Sequence, residues 1–292
     1  MRTHTKKMTA VFAALTIAWA WPVFAGDYEF EKKIAVDGTP DVSVTLLSGD
    51  VVVRAAEGKT VIVKATRDLG RGIELDGARI RISTRTEEFG EAADCDVRLE
   101  LPPASRLAVT TVNGDVDVHG LSGKIEVRAV NGKLDARDIG GPFSFKAING
   151  GVLLENIASG VSGKVVNGDL SGKSISGDLA ELAVVRGDMQ IEGLGTGQVR
   201  VKSVSGDITV KGALAPKAVV KIGTVSGDAE FQLPGDSAFE ADLRSKSGEL
   251  STDFATSERD KVDNRIHIEV GEDGADIEMS SLSGDLKISK QD

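Results

Sequence analysis

The sequence predicts an all-β protein, a β-solenoid or β-helix-like stack of two-strand repeats about 18–21 residues long, and three observations predict it. A glycine in a fixed setting recurs at Gly114, Gly132, Gly150, Gly168, Gly187, Gly206, Gly227 and Gly248, in steps of 18, 18, 18, 19, 19, 21 and 21 residues. Apolar columns stand at fixed offsets on either side of it. No helical period competes with this alternation beyond the first 25 residues.

The glycine setting comes first. Each glycine follows Asn, Ser or, once, Arg, and most precede an acid: Asn113-Gly114-Asp115, Asn131-Gly132, Asn149-Gly150, Asn167-Gly168-Asp169, Arg186-Gly187-Asp188, Ser205-Gly206-Asp207, Ser226-Gly227-Asp228 and Ser247-Gly248. Ser48-Gly49-Asp50 and Ser283-Gly284-Asp285 carry the pattern to both ends as outliers from the regular step. Glycine suits a turn that needs positive φ, where a Cβ is penalised. Two residues before the glycine stand Val112, Val130, Ile148, Val166, Val185, Val204 and Val225. Two residues after it stand Val116, Leu134, Val152, Leu170, Met189, Ile208, Ala229 and Leu250. Both columns are expected to line one buried face.

Between the columns, Val116-Asp117-Val118-His119 and Ile125-Glu126-Val127-Arg128 alternate with period two. A second turn is expected near mid-repeat, at Ser122-Gly123, Gly140-Gly141, Ser159-Gly160 and Ser176-Gly177. One such unit cannot shield its own apolar side chains, so copies must stack. Parallel stacking about 4.8 Å apart would set Asn113, Asn131, Asn149 and Asn167 over one another as a side-chain amide ladder. An antiparallel meander could use the same Asn-Gly turns. The recurrence of the columns in one sense favours the solenoid.

The ends differ from the middle. Residues 1–25 read as a signal peptide: a basic start with Arg2, Lys6 and Lys7, an apolar run from Met8 to Val23, then cleavage expected between Ala25 and Gly26. An uncut N-terminal anchor is the rival reading. No Cys follows the cleavage site to take a lipid, so a periplasmic or secreted chain is expected, without stable membrane insertion after the signal is removed. Residues 26–105 lack the regular step and are expected to cap the array, in one continuous domain with the repeat array of residues 106–292. Asp253 to Asn264 reads as a polar loop, and strands from Ile266 onward as closing the array.

Composition excludes several functions. The formal charge is −10 at pH 7. Loss of the signal would remove three of 35 basic residues and none of 45 acids, leaving 32 against 45, or −13. Nucleic acid is not an expected partner of such a surface. Trp19 and Trp21 lie in the signal and Tyr28 is the one tyrosine, so aromatic platforms for sugars or bases are lacking. Cys95 is the one cysteine, and stability must come from burial and hydrogen bonding.

No motif carries chemistry of its own. Arg186-Gly187-Asp188 is the tripeptide that integrins read, but here it occupies an ordinary repeat turn. A calcium-stabilised β-roll would place Gly and Asp on a nine-residue beat, whereas Gly-Asp here comes once per unit and Lys133 and Gly151 interrupt the acids. His119 and His267 sit on outward strand positions, where a solvated role is expected. A polysaccharide-acting β-helix enzyme would need paired outward carboxylates, and Asp117 and Asp135 could stack one rung apart before Leu153 and Ser171 break the column. No catalytic, cofactor-binding or metal-ligating residue is predicted.

The run Val97-Arg98-Leu99-Glu100-Leu101-Pro102, then Leu107 to Val116 with Asn113-Gly114-Asp115, then repeated Val-Ser-Gly-Asp, resembles the bacterial putative-adhesin proteins of the domain-of-unknown-function, head-GIN-like kind. Leu233-Pro234 followed by Ser247-Gly248 repeats the arrangement. The resemblance covers about residues 40–290 and implies an exported β-helix-like scaffold with no active residues to carry over. The expectation is a non-enzymatic structural or interaction module of the cell envelope, whose partner, an envelope or surface protein or a glycan, the sequence does not name.

Overall fold

A computed structural model describes residues 28–84, 94–255, 258–260 and 263–291. The expected signal and its Ala25–Gly26 cleavage point lie outside the described residues. Apart from one short 3-10 turn, Gly70–Gly72, every described element is a strand. The chain begins with β1 Phe30–Ala35, β2 Asp41–Ser48, β3 Val51–Ala55, β4 Thr60–Ala65, β5 Ile73–Asp76, β6 Arg79–Ser83 and β7 Val97–Leu101. The regular part follows as β8 Arg106–Asn113, β9 Val116–His119, β10 Ile125–Asn131, β11 Leu134–Ile139, β12 Phe143–Asn149, β13 Val152–Ile157, β14 Val161–Asn167, β15 Leu170–Arg186, β16 Met189–Ser205, β17 Ile208–Lys211, β18 Val219–Ser226 and β19 Ala229–Leu233. It ends with β20 Phe239–Ser245, β21 Leu250–Thr252, β22 Glu258–Asp260, β23 Arg265–Val270, β24 Ala275–Ser283 and β25 Leu286–Lys290.

The rungs stack in parallel, in register, which makes the fold a β-solenoid and not a meander. On one face β2, β8, β10, β12 and β14 lie side by side, with Leu107 opposite Ile125, Ile125 opposite Phe143 and Phe143 opposite Val161. The second halves of β15 and β16, then β18 and β24, continue it. On the other face β3, β9, β11, β13, the first halves of β15 and β16, β17, β19 and β25 do the same. A corner glycine joins the two faces in each rung, and their inward side chains meet in one core. Val109, Val127, Phe145, Leu182 and Val201 line it from the first face, Val118, Ala136, Leu154, Ile191 and Val210 from the second. Every residue added to a parallel ladder brings a backbone hydrogen bond and, at alternate positions, a buried side chain.

The tight stacking explains the glycines. Gly150 takes φ +144°, and a Cβ on it would overlap the carbonyl oxygen of Gly132 in the rung before. Glycine answers both demands, since it has no Cβ to strain at positive φ or to collide.

Both ends depart from chain order. Gly248 does not follow Gly227 in space: β24 and β25 pair with β18 and β19, and β20 and β21 pair with β24 and β25 on the far side. A Cβ on Gly284 would meet Gly227, and one on Gly248 would meet Gly284, so the order is Gly227, Gly284, Gly248. The apparent 21-residue step from Gly227 to Gly248 is thus not a repeat step, and Gly284 is an interior member of the column. Neither Gly248 nor Gly284 takes positive φ, so these two are held to glycine by space alone.

At the other end, β6 and β7 lie outside β2 and β3, which in turn carry β8 and β9. Antiparallel strands seal both ends: β1 and β4 against β7, β5 against β6, and β23 with β22 against β20. The stretch read as a polar loop, 253–264, contains one of these, β22. Antiparallel lids of this kind change the strand direction at the stack's ends, which discourages further rungs from adding.

Candidate functional site

The corner positions form three ladders that run along the axis. In the first, Asn131 Nδ2 donates to Asn113 Oδ1 at 2.8 Å, Asn149 to Asn131 at 2.9 Å and Asn167 to Asn149 at 2.9 Å. Arg186 Nη1 extends it to Asn167 Oδ1 at 3.4 Å, the contact made by the arginine of the Arg-Gly-Asp turn. Stacked amides satisfy one another without help from solvent.

In the second ladder, each acid after the glycine accepts the backbone N–H of the next rung. Asp50 Oδ1 accepts from Asp115 at 2.8 Å and Asp115 from Lys133 at 2.7 Å. Asp169, Asp188, Asp207, Asp228 and Asp285 accept in turn from Asp188, Asp207, Asp228, Asp285 and Glu249 at 2.7–2.9 Å. The acids therefore serve the backbone. Partial burial pushes the Asp50 carboxyl above its usual range, against the Asp115 amide that favours its charge, and the carboxylates of Asp96, Asp115 and Asp94 push it the same way. Among the described residues, no three His, Cys, Asp or Glu side chains are grouped to hold a metal ion.

The third ladder was not foreseen. Gly120, Asp138, Asn156, Ser174 and Gly193 all take left-handed backbone, with φ of 80°, 52°, 55°, 55° and 68°. Asp, Asn, Ser and Gly tolerate that region better than branched residues. Their spacing of 18, 18, 18 and 19 residues, with only those residue types, is the sequence signal that could have located this second corner. Asn156 Nδ2 donates to Asp138 Oδ1 at 2.8 Å, and His119 Nε2 lies 2.7 Å from Asp138 Oδ2. His267 Nδ1 lies 3.3 Å from Asp242 Oδ1. Both histidines face outward, each beside an acid.

Asp117 and Asp135 do stand one rung apart, in register. Each carboxylate is gripped by two guanidinium nitrogens: Asp117 by Arg54 at 2.8 and 2.6 Å, Asp135 by Arg137 at 2.7 and 2.6 Å. A carboxylate held through both oxygens by a guanidinium is poorly placed to donate a proton to a glycosidic oxygen. A groove of about 510 Å³ runs beside them, where Lys133 and Gly151 interrupt the acid ladder, with Val52 and Leu153 on its wall. Cys95 is buried, and that burial raises its thiol pKa although a backbone hydrogen bond from Arg67 pulls the other way.

One column overturns an expectation. Val112 and its equivalents two residues before each glycine do not line the core. The residue beside them, in the column Thr111, Ala129, Ala147, Val165 and Val184, points inward instead. Leu47, Val204, Val225 and Leu282 are 40–50% exposed, and Val112, Val130, Ile148, Val166 and Val185 are half-buried. The register of the flanking pairs sets these nine side chains in nine successive rungs. The candidate site is this outer column with its neighbours.

A parallel β-solenoid, internally laddered, sealed at both ends and carrying an aliphatic column outside, defines a class of repeat scaffold. The chain belongs to the Toastrack DUF4097 family, which matches residues 142–289, half of the chain. No curated protein matches it. Among solved structures it is similar to a putative adhesin from Bacteroides fragilis NCTC 9343, at 12% identity and a TM-score of 0.45, over 90% of this chain and 96% of that one. A putative lipid binding protein from Parabacteroides distasonis ATCC 8503 gives 11% and 0.44 over 90% and 96%. A putative cell adhesion protein from Clostridium sporogenes ATCC 15579 gives 13% and 0.22 over 90% and 99%.

Proposed function

We propose that the chain is an exported, non-enzymatic interaction module of the cell envelope that engages its partner through the outer aliphatic column. The observation that carries this reading is the placement of nine aliphatic side chains on the solvent side of nine successive rungs. Isolated exposed leucines and valines are ordinary, whereas a contiguous exposed apolar strip marks a contact surface. The grip of Arg54 and Arg137 on Asp117 and Asp135 argues against glycoside chemistry at that carboxylate pair.

The test has two arms. N-terminal sequencing of protein recovered from the periplasm or medium should begin at Gly26; a chain retained whole in the cytosol would remove the export part. Chemical cross-linking in intact cells should yield adducts that vanish in Val204→Asp/Val225→Asp. Adducts unchanged in that variant would remove the column as the contact surface.

A further inference from the structure

We infer that the outer column is a self-association surface, pairing two copies side by side about a two-fold axis parallel to the stack. This rests on the reading of the column as a contact surface and names its partner. Three observations point to a second copy.

The first is spacing. The column presents one aliphatic side chain per rung from Leu47 through Val112, Val130, Ile148, Val166, Val185, Val204 and Val225 to Leu282, about 38 Å at 4.8 Å per rung. A surface that matches such a comb at every tooth needs the same repeat, and a second copy supplies it.

The second is charge. Two residues upstream of the column, exposed Arg128, Lys146, Lys164 and Lys202 form a basic edge. On its other side, around the corner, exposed Asp115, Asp169, Asp188, Asp207 and Asp228 form an acidic edge, interrupted at Lys133 and Gly151, each acid accepting the next rung's amide through one carboxylate oxygen. A two-fold axis along the column lays the basic edge of each copy toward the acidic edge of the other. The antiparallel arrangement would set basic edge on basic edge. Complementary edges fix orientation and register. The formal charge of −10 opposes an anionic membrane as the occupant.

The third is area. A strip about 38 Å long and, from basic to acidic edge, about 17 Å wide at about 3.3 Å per residue offers roughly 650 Å² per copy, within the range of about 600–1,000 Å² that a stable interface buries on each side.

Sedimentation equilibrium on the purified mature protein should give twice the chain mass, with dimerisation weakened at least about 100-fold in Val204→Asp/Val225→Asp. Both residues face solvent in the monomer, so the thermal midpoint of that variant should stay put. Orientation is read from disulfides in a Cys95→Ala background. Val225→Cys should cross-link to itself. In an antiparallel pair it would link instead to Val112→Cys on the other copy, and that outcome would overturn the proposed axis. A monomer at all concentrations up to about 1 mM would overturn self-association. Co-sedimentation of that monomer with vesicles of anionic lipid would then assign the column to a membrane. Were the monomer to keep its column-dependent adducts in cells, the contact surface would stand and only its pairing with a second copy would fall.

Discussion

Thr224 points into the core just before its corner, 6% exposed, and its hydroxyl finds no partner there. It lies between Ser203 and Ser281 in the adjoining rungs, whose hydroxyls are likewise unpaired. A buried unpaired hydroxyl costs about 1–3 kcal/mol, and Val has the same shape without it. Thr224→Val should therefore raise the stability to urea by about 1 kcal/mol; a loss would mean that the hydroxyl has a partner. Asp50 makes the complementary prediction in pH. Its folded-state pKa is raised, so the folded protein holds that proton more tightly than the unfolded chain. The stabilisation this gives is complete below the ordinary carboxylate pKa and is lost as pH rises through the folded value. Asp50→Asn, which keeps an oxygen for the Asp115 amide, should be more stable than the parent at about pH 7 and equal to it at about pH 3. Denaturant titrations at the two pH values decide it, and equal stability at both would show that the charge costs nothing.

Single strands are shaped by the rungs above and below them. Gly163 lies inside β14 although the interior of a strand disfavours glycine. A Cβ there would run into the ring of Phe145, its partner in β12. One bulky ring thus fills the core space of two rungs, and the neighbour gives way. Gly163→Val should cost about 1–3 kcal/mol by overpacking, and Phe145→Leu in the same chain should restore part of it. A double-mutant cycle with no coupling would refute the pairing. Large-next-to-small complementarity of this kind is invisible in the sequence, where Gly163 merely breaks an apolar column. The parity of the Val112 column was hidden for a related reason. Apolar residues precede and follow each corner glycine, and the true inward column at Thr111, Ala129 and Ala147 is smaller and more mixed. Hydrophobicity alone assigned the wrong one to the core. The Asn-Gly corners, by contrast, were readable residue by residue, because amide stacking and glycine geometry are local demands that recur at each step.

At the level of the whole molecule, the sequence carries the period but not the order of rungs. Gly284 is 36 residues beyond Gly248 in the chain yet one rung before it in space, and only strand pairing reveals the insertion. Between the lids the array behaves as one dimension, with each rung touching only its neighbours, so stability should be a sum over rungs and their interfaces. This makes the length editable. Deleting residues 115–132, one 18-residue unit, joins Gly114 to Lys133 and brings β8 against β12 and β3 against β11. Leu107 and Val109 then meet Phe143 and Phe145 in place of Ile125 and Val127, a near-equivalent core, and Arg54 meets Asp135 where it had Asp117. The shortened chain should fold cooperatively, keep its β-sheet circular dichroism and lose about 5 Å of maximum dimension in small-angle scattering. Its unfolding slope in urea should fall with the surface removed. Deleting only nine of those residues should unfold it, because half a unit sets, at the junction, strands of one face over those of the other and puts a corner glycine against a side chain of the adjoining rung. If both deletions unfold the chain, the rungs are not interchangeable and stability is held by the two lids.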